Sequence, residues 1–428
     1  MSTAHRGGPV IGASGRPLGP VVWESNGCRK ICLLSCCLPC AKCHNGAWAS
    51  KKNLVQESSR SDFPRARFEM QPPTYYPTFL DSIGKTPLVR IDRMLPEAAK
   101  HATVLVKLEM QNPGGSIKDR IALHMIESAE KAGLLKPGMT VVEATSGNTG
   151  IGIAMVCAAK GYACIIIMPQ VPAMLERVMI IRQFGGEVRL TAAGLGIKGA
   201  LQHYEDILAS DSSKYFGTAQ FTNLSNPEAH YLTTGPEIWE QTAGQVDVFI
   251  HGIGTGGCIS GAGKFLKEKK PSVQVVAIEP EEARVHLGAP MKPHPIVGIG
   301  AGLVTHFLGM EGKALDGVGE DGKGTPLPGV IDEWACASGA DCVEYAKKAA
   351  MQEGIMCGPS AGAALKVALQ VASRPESAGK TIVVILASHG IRYTAHPLWA
   401  EVKAQAVPAL PAPPDMSKEG ELLRATLA

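Results

Sequence analysis

Val141-Val142-Glu143-Ala144-Thr145-Ser146-Gly147-Asn148-Thr149-Gly150 begins with an apolar pair and runs into six small or hydroxylated residues. Ile151–Lys160, of helix length, comes next, and a second apolar run follows at Cys164–Met168. An apolar run, a tight polar turn, a helix and another apolar run form one strand–helix–strand unit, which pairs its strands in parallel. The turn is also chemically notable. Hydroxyls and free backbone N–H groups at a helix start make an anion site suited to a carboxylate or phosphate. Ser and Thr also serve as ordinary N-caps, so the turn alone does not separate a ligand site from a capped helix.

The same texture extends outward from this unit. Val246–Ile250, Val273–Ile278 and Ile382–Leu386 read as further buried strands, and Lys118–Ala132 and Ser260–Lys269 as helices between them. From about Tyr75 the alternation predicts an α/β fold of twisted, mostly parallel sheets covered by helices. Residues 1–74 have another character: rich in Gly, Pro, Ser and Cys and without sustained periodicity. Residues 1–60 carry eight basic residues against Glu24 and Glu57 alone, a composition that suits a targeting segment or a disordered extension. Within it, Ile31–Cys40 follows Arg29-Lys30 and mimics a signal peptide. Residues 309–329 read as an inserted surface loop, and 406–428 as a flexible proline-rich tail.

Composition narrows the function classes. Of 428 residues, 45% are apolar and 19% charged, a globular balance. The net charge of +3 gives no strong field for nucleic acid, and no apolar run is long enough to span a membrane. Six cysteines crowd the N-terminal stretch, and six are scattered through apolar or glycine-rich segments. The scattered ones read as reduced thiols, which predicts a reducing compartment, either cytoplasm or an organelle matrix. Cys37-x-x-Cys40-x-x-Cys43-His44 has zinc-like spacing but lacks a second ligand pair farther along, so no metal site is expected.

Two more glycine-rich elements accompany the 145–150 turn. Asn112-Pro-Gly-Gly-Ser-Ile-Lys-Asp-Arg120 opens a helix with Lys118 in its first turn, where the positive end of the helix dipole disfavours an ammonium. That suits a lysine that must form a Schiff base, although on this signal alone a solvated surface lysine remains the ordinary reading. Gly252-Ile-Gly-Thr-Gly-Gly257 follows a strand directly and matches G-x-G-x-x-G, with Glu279 near the place of a ribose-binding acid. A nicotinamide-dependent oxidoreductase therefore stays open from the motif alone, although it leaves the other two loops unexplained.

In combination these elements resemble the pyridoxal-phosphate (PLP) enzymes of fold type II, the tryptophan synthase β-like fold, and within them the cysteine synthase and cystathionine β-synthase group. The likeness runs from about Asp81 to Tyr393, through Ser82-Ile-Gly-Lys-Thr-Pro-Leu-Val89, the three loops, Thr233-Thr-Gly-Pro-Glu-Ile-Trp239, Gly298-Ile-Gly-Ala-Gly302 and Gly358-Pro-Ser-Ala-Gly362. It implies two subdomains within a catalytic domain at 75–405, the smaller and mobile one at about 113–222. It also implies that Lys118 holds the cofactor as an internal aldimine and shuttles the Cα proton. Asn148 would bond the 3′-oxygen, Gly254, Thr255, Gly256, Gly257 and Cys258 would cradle the phosphate, and Ser360 would face the ring nitrogen. Thr145, Ser146, Gly147 and Thr149, with Gln220, would hold the substrate carboxylate.

The implied reaction is β-replacement of O-acetylserine by sulfide through an α-aminoacrylate, giving L-cysteine in a ping-pong order. Relatives of this type imply a homodimer and, as a partner, serine acetyltransferase. Gly300-Ala301-Gly302 resembles cysteine synthases, with cystathionine β-synthase and β-cyanoalanine synthase as the alternatives. The chain departs from the family pattern at Cys258, where threonine is usual, and at Ile391, where an acid is common.

Overall fold

The computed structural model describes residues 75–145, 147–171, 174–308 and 329–406, together with the backbone at 10–11, 17–18, 22–25 and 28–31. The chain divides into two units, Met1–Thr74 and Tyr75–Ala428. In the first, Val10–Ile11 pairs antiparallel with Pro17–Leu18, and Val22–Ser25 with Cys28–Ile31. The sequence reading assigns no strand here. Its overlooked signal is Asn26-Gly27 between the second pair, the dipeptide most favoured in two-residue hairpin loops. The run from Leu33 to Cys40, the Cys37–His44 cluster, the 309–328 insertion and the tail from Val407 lie outside the described residues.

The second unit contains two sheets. A six-stranded sheet uses β1 (Leu88–Arg90), β2 (Thr103–Leu108), β7 (Val246–Gly252), β8 (Gln274–Pro280), β9 (Glu333–Ala337) and β10 (Thr381–Leu386), in the order β9-β8-β7-β10-β2-β1. All its pairs are parallel except β1 with β2. A four-stranded, wholly parallel sheet uses β3 (Thr140–Ala144), β4 (Ala163–Pro169), β5 (Glu187–Thr191) and β6 (Tyr215–Gly217), in the order β6-β3-β4-β5. This is the expected α/β architecture.

Strand alternation explains how both faces of each sheet become core. In the larger sheet, Val106, Val248, Ile278 and Val384 face one side and pack on α9 (Pro359–Ala372) and α8 (Gly339–Lys348). Leu105, Phe249, Ala277 and Val383 face the other and meet α7 (Gly257–Lys269) and α6 (Gly235–Gln241). In the smaller sheet, Val141 and Ile166 face α1 (Lys118–Lys131), α2 (Asn148–Lys160) and α3 (Leu175–Gln183). Val142 and Ile167 face α4 (Gly196–Ser210).

Two helices start earlier than the sequence suggests. Helix α2 opens at Asn148, because the Gly147 carbonyl already accepts the Ile151 N–H at 3.1 Å. Helix α7 opens at Gly257, with Gly256 in the left-handed region (φ +85°) turning the chain from strand to helix. In both cases the loop glycines and the first helical turn are one structure.

Candidate active site

Parallel strands deliver their loops to the same edge of a sheet, and ligands of open α/β folds bind beyond those carboxyl ends. Here β2, β3, β7 and β10 lead into the segments carrying Lys118, Thr145–Thr149, Gly254–Cys258 and Ser388–Tyr393. Helices α1 and α2 lie close: a Cβ at Gly152 would sit 3.1 Å from both the Lys118 carbonyl oxygen and Ala122 Cβ. That approach brings the first turns of the two helices, and so Lys118 and Asn148, to one place.

A cavity of about 270 Å³ is lined by Lys118, Thr145, Asn148, Thr149, Gln220 and Thr255, among others. A smaller one of about 30 Å³ shares Lys118, Asn148 and Gly254 with it and adds His251, Ser360 and Tyr393. Most of the residues singled out in the sequence therefore meet in one region. Gly256, Gly257 and Cys258 continue from Thr255 into α7, while Ser146 lies outside the described residues.

Lys118 is the reactive candidate. Burial lowers its ammonium pKa, with Cys258 acting in the opposite direction. No carboxylate forms an ion pair with it among the described residues. Asn148 is held on both sides of its amide: Nδ2 donates to Tyr393 Oη at 2.9 Å, and Arg392 Nη1 donates to Oδ1 at 3.2 Å. Tyr393 Oη also lies 2.7 Å from Ser388 Oγ. In and beside the 145–149 turn, Thr149 Oγ1 donates to Gln220 Oε1 at 2.7 Å, and the Gly147 N–H donates to Thr145 Oγ1 at 3.2 Å. Gln220 Nε2 is itself oriented by Glu143 and by the Ala144 carbonyl, each at 3.3 Å.

The chemistry of the loop before α7 suits a phosphate. The N–H groups of Thr255, Gly256 and Cys258 have no protein acceptor among the described residues, and they sit at the start of a helix whose dipole favours an anion. Thr305 Oγ1 and Asn226 Oδ1 nearby are buried without a hydrogen-bond partner. A Cβ at Gly257 would fall 1.9 Å from Asn226 Oδ1, so that glycine lets the loop close onto Asn226, whose Nδ2 supports Thr255 Oγ1 at 3.0 Å. A buried lysine without a counter-charge and a cradle of free N–H donors together fit a phosphorylated aldehyde cofactor.

Several site residues were given no role in the sequence reading. Arg392 is not named there and Tyr393 only marks the end of the likeness, yet they clamp Asn148. Arg177, from α3, lies over the Tyr393 ring at 4.8 Å and against Gly147. Asp119 accepts the Gly114 N–H at 2.6 Å, and burial raises its carboxyl to about 7 against the pull of Arg392. Of the scattered cysteines, Cys336 is half-buried and the others are buried, all as free thiols.

The match to known proteins agrees with this geometry. A family model described as pyridoxal-phosphate dependent enzyme matches residues 79–388. The chain belongs to that family of PLP-dependent enzymes, and its cofactor is pyridoxal phosphate. Within the family it is similar to a cysteine synthase of Staphylococcus aureus (strain Mu50 / ATCC 700699), at 43% identity over 319 residues covering 74% of this chain and 95% of the relative. The solved cysteine synthase of Entamoeba histolytica is 38% identical, with a TM-score of 0.70, and the match covers 78% of this chain and 94% of that one. An O-acetylserine dependent cystathionine β-synthase from Helicobacter pylori is 30% identical, with a TM-score of 0.67, over 76% of this chain and all of that one. With the family shown, the oxidoreductase alternative falls away.

Proposed function

We propose that this chain makes L-cysteine from O-acetylserine and sulfide by β-replacement. The observation that carries the proposal is the convergence of Lys118, Thr145, Gly147–Thr149 and Gly254–Thr255 on one cavity. The similarity to cysteine synthases supports it. Bound there, PLP supplies an electron sink for the pair left behind when Cα loses its proton.

The residues divide the remaining work. Lys118 carries the cofactor and moves the proton at Cα, a task suited to an amine whose charged form is disfavoured by burial. Thr145, Ser146, Gly147 and Thr149 hold the donor carboxylate, with Gln220 fixing the Thr149 hydroxyl. Asn148 would address the cofactor's 3′-oxygen, Gly254–Cys258 would hold its phosphate and Ser360 would face its ring nitrogen. A neutral serine hydroxyl does not hold that nitrogen protonated as a carboxylate would, which suits early loss of acetate. The cavity wall also carries Phe221, Met291, Val297, Ile299 and Ala301. Gly300-Ala301-Gly302 adds little polar grip for a second amino acid, so a compact acceptor is favoured.

The same reading makes residues 75–405 the catalytic domain, with a part at about 113–222 that closes on substrate. Residues 1–74 serve in targeting to a reducing compartment. The active form is a homodimer able to bind serine acetyltransferase. No helix among the described residues is long and apolar enough to cross a membrane.

The test compares kcat/KM for O-acetylserine plus sulfide with that for serine plus homocysteine. A clear preference for the first pair supports the proposal. Preference for the second makes the chain a cystathionine β-synthase.

A further inference from the structure

His251 is the penultimate residue of β7, and its side chain lines the small cavity beside Lys118 and Ser360. Its Nδ1 is buried without a partner, and neither ring nitrogen makes a hydrogen bond among the described residues. The residue is only 8% exposed. A buried imidazole without a partner is uncommon, because each unsatisfied polar atom carries a desolvation cost. The groups around it do not resolve this. His230, the next imidazole, has its Nδ1 2.9 Å from Thr234 Oγ1. Glu109 is bound on both carboxylate oxygens by Arg120. Cys258 is a buried thiol whose pKa burial raises above the usual range. Lys118 remains, and it lacks an anionic partner among the described residues.

We propose that His251 is the neutral hydrogen-bond acceptor that receives the Lys118 ammonium whenever that amine is free and protonated, making it a positioning residue for the reacting lysine. The reaction obliges Lys118 to alternate between a neutral and a protonated state inside a dry site. A carboxylate beside it would hold the proton too firmly. A neutral imidazole stabilises the ammonium by one hydrogen bond without fixing it in that state. Burial, then the Lys118 charge, hold the His251 pKa down at about 3, with Glu109 opposing, so the ring stays neutral and keeps an acceptor nitrogen.

The inference rests on Lys118 being the reacting lysine, but its test reads the residue pair whether or not cysteine synthesis is found. Full-length protein is freed of cofactor with hydroxylamine, and its fold is checked by circular dichroism. Reductive methylation of Lys118 by formaldehyde and cyanoborohydride is then followed against pH by peptide mass spectrometry. In His251→Phe, which keeps the volume and removes the acceptor, the inflection for Lys118 should move down by about one pH unit or more. His251→Asn, which keeps an acceptor oxygen, should stay near the unsubstituted protein. His251→Ala serves as the acceptor-free arm if the Phe variant does not fold. No movement in the acceptor-free variant overturns the proposal, and so does upward movement, which would mark the imidazole as a charged neighbour repelling the ammonium.

Discussion

The Thr149 hydroxyl gives its proton to Gln220 in the absence of substrate, and Gln220 is itself tied to Glu143 and to the Ala144 carbonyl. A donor carboxylate must draw that hydroxyl away from Gln220. Thr149→Ala removes one charge-assisted hydrogen bond, worth roughly 1.5–3 kcal/mol. If the bond tightens in the transition state, steady-state kinetics should show kcat/KM for O-acetylserine lower by about one to two orders of magnitude. An unchanged kcat/KM would remove Thr149 from the substrate site. At this scale the sequence was readable in part: the 145–150 turn stands out by composition and Lys118 by its position at a helix start, but their roles came from the family resemblance and not from the local signal. The contact between Arg392 and Asn148 was not readable, because it joins residues 244 apart in the chain and Arg392 carries no local signal.

Elements are locked together behind the site by charge. Arg120, on α1, grips both oxygens of Glu109 at 2.7 and 2.8 Å and bonds Glu237, on α6, at 2.7 Å. Lys107, on β2, reaches Glu237 at 2.6 Å. Burial alone would raise the Glu109 carboxyl, but Arg120 overrides it and holds it at about 2. Arg120→Met should therefore cost roughly 3–5 kcal/mol in urea unfolding, because it strands a buried carboxylate. A loss below about 1 kcal/mol would show that water reaches Glu109.

Glu143, on β3, behaves oppositely: burial raises its carboxyl to about 7, against hydrogen bonds from Thr218 and Gln220. The folded chain thus holds this proton more tightly than the unfolded chain does. Its contribution is full below the ordinary value of 4.5 and is lost as pH rises through about 7. Stability measured from pH 5 to pH 8 should fall along this stretch, and Glu143→Gln should flatten the fall. Asp119, also raised to about 7, adds to the same slope in both proteins. An equal slope in the variant would contradict the assignment. The strands were legible as apolar runs because parallel sheets bury both faces. Two helix starts were not, since Asn148 and Gly257 look like loop residues until their backbone bonds are seen.

For the molecule as a whole, the two units divide at Thr74, and all the described site residues lie beyond that point. A chain beginning at Tyr75 should keep kcat within a few-fold of the full chain. A collapse in activity with the fold intact would give the first unit a catalytic role. The architecture of the second unit followed from the alternation of apolar runs, whereas the convergence of its loops depends on strand order, which sequence spacing does not reveal. The central claim is that one site releases acetate first and then adds sulfide, with Lys118 moving the proton between. It is tested most directly by mixing the full-length holoenzyme with O-acetylserine alone, then adding sulfide, while absorbance, acetate and cysteine are followed. The expected result is one acetate per site with a lasting spectral change before sulfide is added, then one cysteine per site with return of the starting spectrum. Release of acetate only after sulfide arrives would contradict it.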